Sequence, residues 1–195
     1  MSNDFNWSNF TLNSVKDPVK QVIYIDIESE CPNDFIRMPL MIVRGSTDGP
    51  TMTVLGGVHG DEYEGPIALM KLGRDLDPAR ISGRLIVIPA LNFPAVMAGA
   101  RVSPIDGINM NRTFPGKRDG TVTQMIAHFV QNMILPGCDA LLDIHSGGKT
   151  MMFSPFAAYH RLPDETLMHR ARMAVESMAT PISLELVELD SDGML

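Results

Sequence analysis

Two short apolar runs in this chain each break off into a glycine-rich turn that carries a histidine, and this pairing constrains the fold more than any other feature. The first run, residues 51–55 (TMTVL), leads into GGVHGDE at residues 56–62. The second, residues 139–144 (DALLDI), leads into HSGG at residues 145–148. Both runs read as strands, and residues 139–144, like the apolar run at residues 84–89, as one buried in the manner of parallel sheets. Parallel strands need crossover connections, usually helices, and the sequence supplies them. Leu69, Leu72 and Leu76 recur at helical spacing from about Glu62 onward, with Pro66 suited to a first turn. Residues 121–135 form a stronger amphipathic stretch, with Val122, Ile126, Phe129 and Met133 on one face and Pro136 as its stop. Residues 164–178 read as a further helix, with Leu167, Ala171, Ala174, Val175 and Met178 inward. More strands are expected at residues 21–27, 39–44, 84–89 and 182–189, with a turn at residues 45–50. This order of elements predicts an α/β protein, a three-layer sandwich around a mostly parallel mixed sheet.

With 195 residues, 45% of them hydrophobic, the chain has material for one good-sized core and reads as one domain. No run approaches the ~20 apolar residues of a membrane span, and the polar first twenty residues lack the apolar stretch of a signal peptide. A net charge of −7 argues against general nucleic-acid binding, which draws its affinity from basic surface. Cys31 and Cys138 fit neither a C-x-x-C pair nor a zinc knuckle, and isolated thiols point to a reducing, cytoplasmic setting. The fifteen methionines read as flexible core filler. Nothing in the sequence sets the oligomeric state, so a homo-oligomer stays open.

In open α/β sheets, chemistry gathers beyond the carboxyl ends of the strands, and both histidine turns are expected there. His59 and Glu62 form H-x-x-E, a pair that can converge on a metal where strand passes into helix; alone it is a weak signal that a capping or surface pair explains equally well. His145 can complete the site, although a lone histidine at a strand end is as readily a hydrogen-bonded rim residue. Asp143, two residues back on the same strand face, is placed to orient a ligand. Two neutral imidazoles and one carboxylate would leave a zinc ion with a fourth position open, as catalytic zinc requires. Such an ion lowers its water's pKa to about 7 and polarises a carbonyl.

Residues 100–120 show no period and are rich in Gly, Pro, Asn and Arg. An irregular loop of that length inside a compact domain is usually functional or disordered, and the strong helix that follows favours function. Guanidinium forks hold carboxylates bidentately, so Asn111 and Arg112 can take an amino-acid carboxylate and Arg101 can face a developing oxyanion. A solvated loop with surface ion pairs is the plainer alternative. His128, His160 and His169 have no ligand company and read as structural or exposed. Residues 147–150 (GGKT) lack the upstream glycine of a phosphate loop, and no G-x-S-x-G elbow occurs.

Taken together, HGDE at residues 59–62, NR followed by FPG at residues 111–116 and DIHSGG at residues 143–148 resemble the succinylglutamate desuccinylase/aspartoacylase family, a branch of the zinc carboxypeptidase fold. The likeness runs from about residue 43 to residue 160. It implies that His59, Glu62 and His145 bind one zinc, that Asn111 and Arg112 bind the substrate's carboxylate, and that Arg101 polarises the scissile carbonyl. Residues 109–112 read N-M-N-R where the aspartoacylase branch favours D-x-N-R, and Arg101 stands further from Asn111 than in that branch, so the pocket is expected to differ. DEYEGP at residues 61–66, SPIDG at 103–107, DGTVTQ at 119–124 and KT at 149–150 look closer still to the subfamily of bacterial N2-acetyl-L-2,4-diaminobutanoate deacetylases of ectoine breakdown.

The resemblance implies a zinc-dependent hydrolase that cleaves the amide of a small anionic N-acyl amino acid, with neither nucleic acid nor membrane as partner. A peptide-cleaving zinc carboxypeptidase and a non-catalytic metal-binding chain are the alternatives. Family members are longer, carrying a catalytic Glu in a T-E-x-G setting and then a small β-rich domain. Neither is found here, and Glu185 and Glu188 lack the following glycine and read as structural. The expectation is therefore an incomplete zinc-hydrolase domain over residues 1–195, with residues 1–35 as an N-terminal extension and first strand.

Overall fold

The computed structural model describes residues 4–7, 10–12, 20–28 and 35–187. The described residues divide into two compact units, one running up to Thr150 and the other from Met151 onward.

In the first unit, six strands form one sheet: β1 (Asp4–Asn6), β2 (Lys20–Glu28), β3 (Phe35–Arg44), β4 (Thr47–Gly56), β5 (Ser82–Ile88) and β6 (Ala140–Ile144), in the order β1-β2-β3-β5-β4-β6. β1 is parallel to β2, and β4 is parallel to both β5 and β6. β3 is antiparallel to β2 and to β5, so it alone runs against the other five. The mostly parallel sheet expected from the apolar runs is present.

Among the described residues, three α-helices belong to this unit: α1 (Glu64–Asp75), α2 (Phe93–Ala98) and α3 (Val122–Phe129). Side chains alternate across a strand, and the two faces of the sheet carry different clusters. Ile23, Ile25 and Ile27 of β2, Met38, Leu40 and Ile42 of β3, Leu55 of β4 and Ile86 and Ile88 of β5 meet Val122, Ile126 and Phe129 of α3 on one face. Val54, Val87 and Leu69 of α1 meet on the other, with Met41, Leu85, Leu142 and Ile144 beside them. Helix, sheet and helix make the three layers.

Local departures from the sequence expectations have physical causes. α1 faces the sheet with Gly65, Pro66, Leu69 and Gly73, while Leu72 is exposed and Leu76 is the C-cap. Glycines, not a leucine stripe, set how closely this helix approaches. The helix expected over residues 121–135 is α-helical only to Phe129 and continues as a π turn, Val130–Ile134, and a 3-10 turn, Leu135–Gly137. Asn132 Nδ2 donates to the His128 carbonyl at 2.9 Å, competing for a backbone acceptor where the helix widens. β4 begins within the expected turn, with a register shift between Thr47 and Thr51. β6, expected to be buried on both faces, pairs among the described residues with β4 alone and leaves Leu141 exposed. Of the methionines, Met38, Met110 and Met125 are buried, but Met70, Met97, Met151 and Met152 face outward; a residue without a periodic pattern carries no information about its side. β1 and α2, at 3 and 6 residues, are too short to show a period in sequence.

The second unit consists of β7 (Phe156–His160) and β8 (Ile182–Leu186), paired in parallel, with α4 (Glu165–Ser177) between them in sequence. Asp164 caps α4 by accepting from the N–H groups of Thr166 and Leu167. Val175 is the buried residue of α4, and Leu167 and Met178 are exposed instead of inward, because a two-stranded sheet offers a helix only a narrow surface. Glu185 bonds to Tyr159 and Arg161, a structural use. Glu188 and the end of the strand expected over residues 182–189 lie outside the described residues, as does Cys31. Among the described residues no helix is long and apolar enough to cross a membrane.

Candidate metal centre

β4 and β6 are parallel neighbours with Gly56 opposite Ile144, so the two histidine turns leave the sheet side by side at one edge. The first turn is held from below: the N–H groups of Leu91 and Asn92 donate to the carbonyls of Gly56 and Gly57, each at 2.9 Å. α2 then presses against it. A Cβ on Gly60 would lie 2.0 Å from the Ala95 backbone, so glycine is required in this place.

These constraints bring three ligand types together. His59 Nδ1 lies 2.8 Å from Glu62 Oε1, and His145 Nδ1 lies 2.9 Å from Glu62 Oε2. His59 and Glu62 are buried, His145 is at the surface, and one ligand atom from each of the three falls within 4.8 Å of the others. The outer ring nitrogens are also tied. His59 Nε2 is 3.1 Å from Asn109 Oδ1, and His145 Nε2 is 2.8 Å from Asp143 Oδ2. Asn109 Oδ1 accepts the Asn111 N–H at 3.0 Å as well, which fixes it as the oxygen. Both outer partners are acceptors, so each Nε2 donates outward and each Nδ1 is the ring nitrogen turned toward Glu62.

The electrostatics agree. Burial pushes the Glu62 carboxyl up, but the bonds from His145, His59 and the Ser146 N–H outweigh it and hold Glu62 well below the usual carboxylate range. Burial works against charge on His145, yet Asp143 and Glu62 overcome it and push its pKa up to about 10. Without a metal, His145 therefore holds a proton on the nitrogen that a cation would take. Zinc bonds of about 2.0–2.1 Å in tetrahedral array set donor atoms about 3.3 Å apart. Two imidazole nitrogens and a carboxylate already clustered here fit that demand with small adjustments.

Arg101 reaches the same cluster, its Nη1 standing 3.3 Å from Glu62 Oε1 with the side chain more than half exposed. Asn111 and Arg112 lie on a 3-10 turn, Met110–Arg112. Arg112 Nη1 donates to the Asn111 carbonyl at 2.6 Å, and neither side chain bonds to the cluster. The surrounding loop is fixed to α3 through Asp106, whose carboxylate accepts the Thr123 N–H at 2.8 Å and the Thr123 hydroxyl at 2.9 Å.

The catalytic-domain profile of succinylglutamate desuccinylases and aspartoacylases matches residues 48–195. The chain belongs to the succinylglutamate desuccinylase/aspartoacylase family. N-alpha-acetyl-L-2,4-diaminobutyric acid deacetylase of Halomonas elongata is 42% identical over 159 residues, which are 82% of this chain and 46% of that protein. The product-bound structure of the ectoine utilization protein EutE (DoeB) from Ruegeria pomeroyi matches with a TM-score of 0.84 at 42% identity, over 90% of this chain and 54% of the other. A metallo-carboxypeptidase from Burkholderia cenocepacia shares the fold, with a TM-score of 0.65 at 17% identity over 92% and 52% of the two chains. This family member thus spans about half the length of the relatives it matches.

Within this member, the cluster of His59, Glu62 and His145 is the group that could hold a metal among the described residues. His128 instead bonds Asn132 and meets the Trp7 ring edge-on. Sequence reasoning placed Asp143 behind His145, where it is found. It missed Asn109, visible in sequence only as a departure from D-x-N-R, and Ser146, whose N–H donates to Glu62 Oε2 at 3.0 Å.

Proposed function

We propose that the protein is a zinc-dependent amidohydrolase acting on N-acyl amino acids, with N-acetyl-2,4-diaminobutyrate as the favoured substrate. The observation that carries this is the convergence of His59 Nδ1, Glu62 and His145 Nδ1 at one sheet edge, with Arg101 beside them. The 42% identity with the Halomonas elongata deacetylase supports the choice of acyl group and amino acid. His59, Glu62 and His145 would hold the zinc, which when bound supplies an acidic water and polarises the amide carbonyl. Asp143 and Asn109 keep the two rings turned with Nδ1 inward. Arg101, more than half exposed beside Glu62, would offer its guanidinium to the oxyanion that forms on the carbonyl. Asn111 and Arg112 would take the substrate's carboxylate once Arg112 leaves the Asn111 carbonyl, positioning the amide. The setting in this reading is cytoplasmic.

The test is a panel of N-acetyl, N-succinyl and N-aspartyl amino acids given to the zinc-loaded protein, with release of free amine as the readout. Release from the N-acetyl substrate is expected, slowly because the T-E-x-G glutamate is not among these residues, with loss on chelation and return on adding zinc. Cleavage of peptides with the acyl amino acids left intact would move the reading to a carboxypeptidase. Bound zinc without turnover of either class would leave a metal-binding role.

A further inference from the structure

We propose that Glu64 is a positioning residue for the metal centre and acts through the hydroxyl of Ser146; the inference rests on the metal-site reading above. Glu62 and Glu64 both stand at the entrance to α1. Gly65 lets the helix backbone come down on the end of β6, where a Cβ would lie 3.0 Å from the Ile144 carbonyl oxygen. The turn after β6 meets both carboxylates through a single residue. The Ser146 N–H donates to Glu62 Oε2 at 3.0 Å, and the Ser146 hydroxyl donates to Glu64 Oε2 at 2.6 Å. The neighbouring ring, His145, bonds the same Glu62 oxygen through Nδ1 at 2.9 Å.

A hydroxyl has one hydrogen to give, and Glu64 takes it at the short distance of a charge-assisted bond. The Ser146 oxygen is left to accept, and the Gly148 N–H stands 3.4 Å from it. The side chain of Ser146 is therefore held in one orientation, and its backbone N–H stays aimed at Glu62 while the His145 ring stays in reach. Glu64 is not one of the three residues that could hold the ion. It fixes the distance between the two turns that supply the ligands. Groups that brace metal ligands in this way typically contribute about 10–100-fold in metal affinity.

A charge in the first turn of a helix also favours the helix through its dipole. That role would be felt in stability and would be lost equally in E64Q and E64A. Metal affinity separates the two roles, because Gln keeps an oxygen that accepts from Ser146 and Ala does not.

The experiment measures zinc affinity, and the visible absorption of bound Co2+, for the metal-free protein and its S146A, E64A, E64Q and S146A/E64A forms. S146A and E64A are expected to weaken zinc by roughly 10-fold or more and to shift the cobalt bands. The double variant should be no weaker than the weaker single variant, because one bond is lost in all three. E64Q should stay within about threefold of the unmodified protein, on the same reasoning. Where circular dichroism shows that E64A does not fold, S146A against E64Q decides the matter. Unchanged affinity and spectrum in S146A, or additive losses in the double variant, overturn the proposal. No cobalt spectrum in the unmodified protein overturns the metal-site reading, and this inference falls with it; a normal spectrum there with unchanged variants overturns only the role of Glu64.

Discussion

Nδ1 of His145 stands 2.9 Å from Oε2 of Glu62 although 83 positions separate the two residues in the chain. Strand pairing makes this contact, not local sequence. β4 and β6 run parallel with Gly56 opposite Ile144, and the residues just beyond each strand end have nowhere to go but toward one another. In the absence of a metal, a carboxylate held ionised and an imidazole held protonated satisfy each other there.

The His145→Ala variant removes one of the three groups proposed to hold zinc and should lose the ion. The unmodified chain is expected to retain about one zinc per chain, and the variant to bind it well beyond the ~100-fold weakening that follows loss of a bracing residue. Metal analysis after gel filtration checks this. One zinc retained in the variant would remove His145 from the ligand set.

In the proposed site, zinc and a proton would compete for His145 Nδ1. With its pKa pushed up to about 10, the ring is charged at neutral pH in the metal-free protein. Seating an ion on His145 must therefore expel the proton held there at pH 7, and apparent affinity should rise with pH until that proton is lost. Calorimetry in buffers of different ionisation heat measures the proton count. The sign for stability is the reverse. A pKa raised on folding stabilises fully below the unfolded value near 6.5, and the gain is lost as pH rises through about 10. The metal-free chain should thus become less stable as it is made alkaline, while the zinc form should not.

The fold and the meeting of His59, Glu62 and His145 were legible because they lie on strong local signals: an apolar run, glycines, then histidine. Periodicity also found α3 through Val122, Ile126 and Phe129. It failed where contact is made by what is missing. Gly65 and Gly73 bring α1 onto the sheet, and a hydrophobic count sees only Leu69, Leu72 and Leu76. Asn109 and Ser146 were hidden for a different reason. Their roles depend on which atom of a distant turn they meet, and neither residue type announces that in sequence.

Arg101 and Arg112 should separate kinetically. Arg101 lies beside the cluster at 3.3 Å from Glu62, so in the proposed reaction its loss would remove a donor to the developing charge. Arg101→Met is expected to lower kcat by about 100-fold or more with a modest change in KM. Arg112 lies away from the cluster and would contact the carboxylate in substrate and transition state alike, so Arg112→Met should chiefly raise KM. Initial rates on the N-acetyl substrate check both, and a kcat defect in Arg112→Met with KM unchanged would count against its proposed contact.

Asp106 ties the loop that carries Arg101 and Asn109 to the start of α3. Burial raises its pKa, but the Thr123 N–H and its other bonds prevail and hold it below the ordinary aspartate value. Asp106→Ala should cost about 1 kcal/mol, as loss of a helix cap does. A depressed pKa gives stability that is present above the unfolded value near 3.8 and lost as pH falls through the folded one. Urea midpoints of the two proteins should therefore differ at pH 7 and converge toward acid. A gap that stays constant into acid would assign the effect to packing instead of charge.

Gly60 is the most sensitive backbone position of the first turn. A Cβ there would lie 2.0 Å from both the carbonyl carbon and the oxygen of Ala95, and no rotamer relieves a clash between main-chain atoms. α2 would have to move away, and with it the Leu91 and Asn92 N–H groups that hold Gly56 and Gly57. Gly60→Ala should therefore destabilise the fold by about 3 kcal/mol, at the upper end of overpacking costs, and weaken zinc binding because His59 shifts with the turn. Denaturant unfolding of the metal-free variant measures the first effect and zinc titration the second. A variant as stable as the parent, with unchanged zinc affinity, would mean that α2 does not seat on this turn as described, and that the position of His59 is set by its bonds to Glu62 and Asn109 alone.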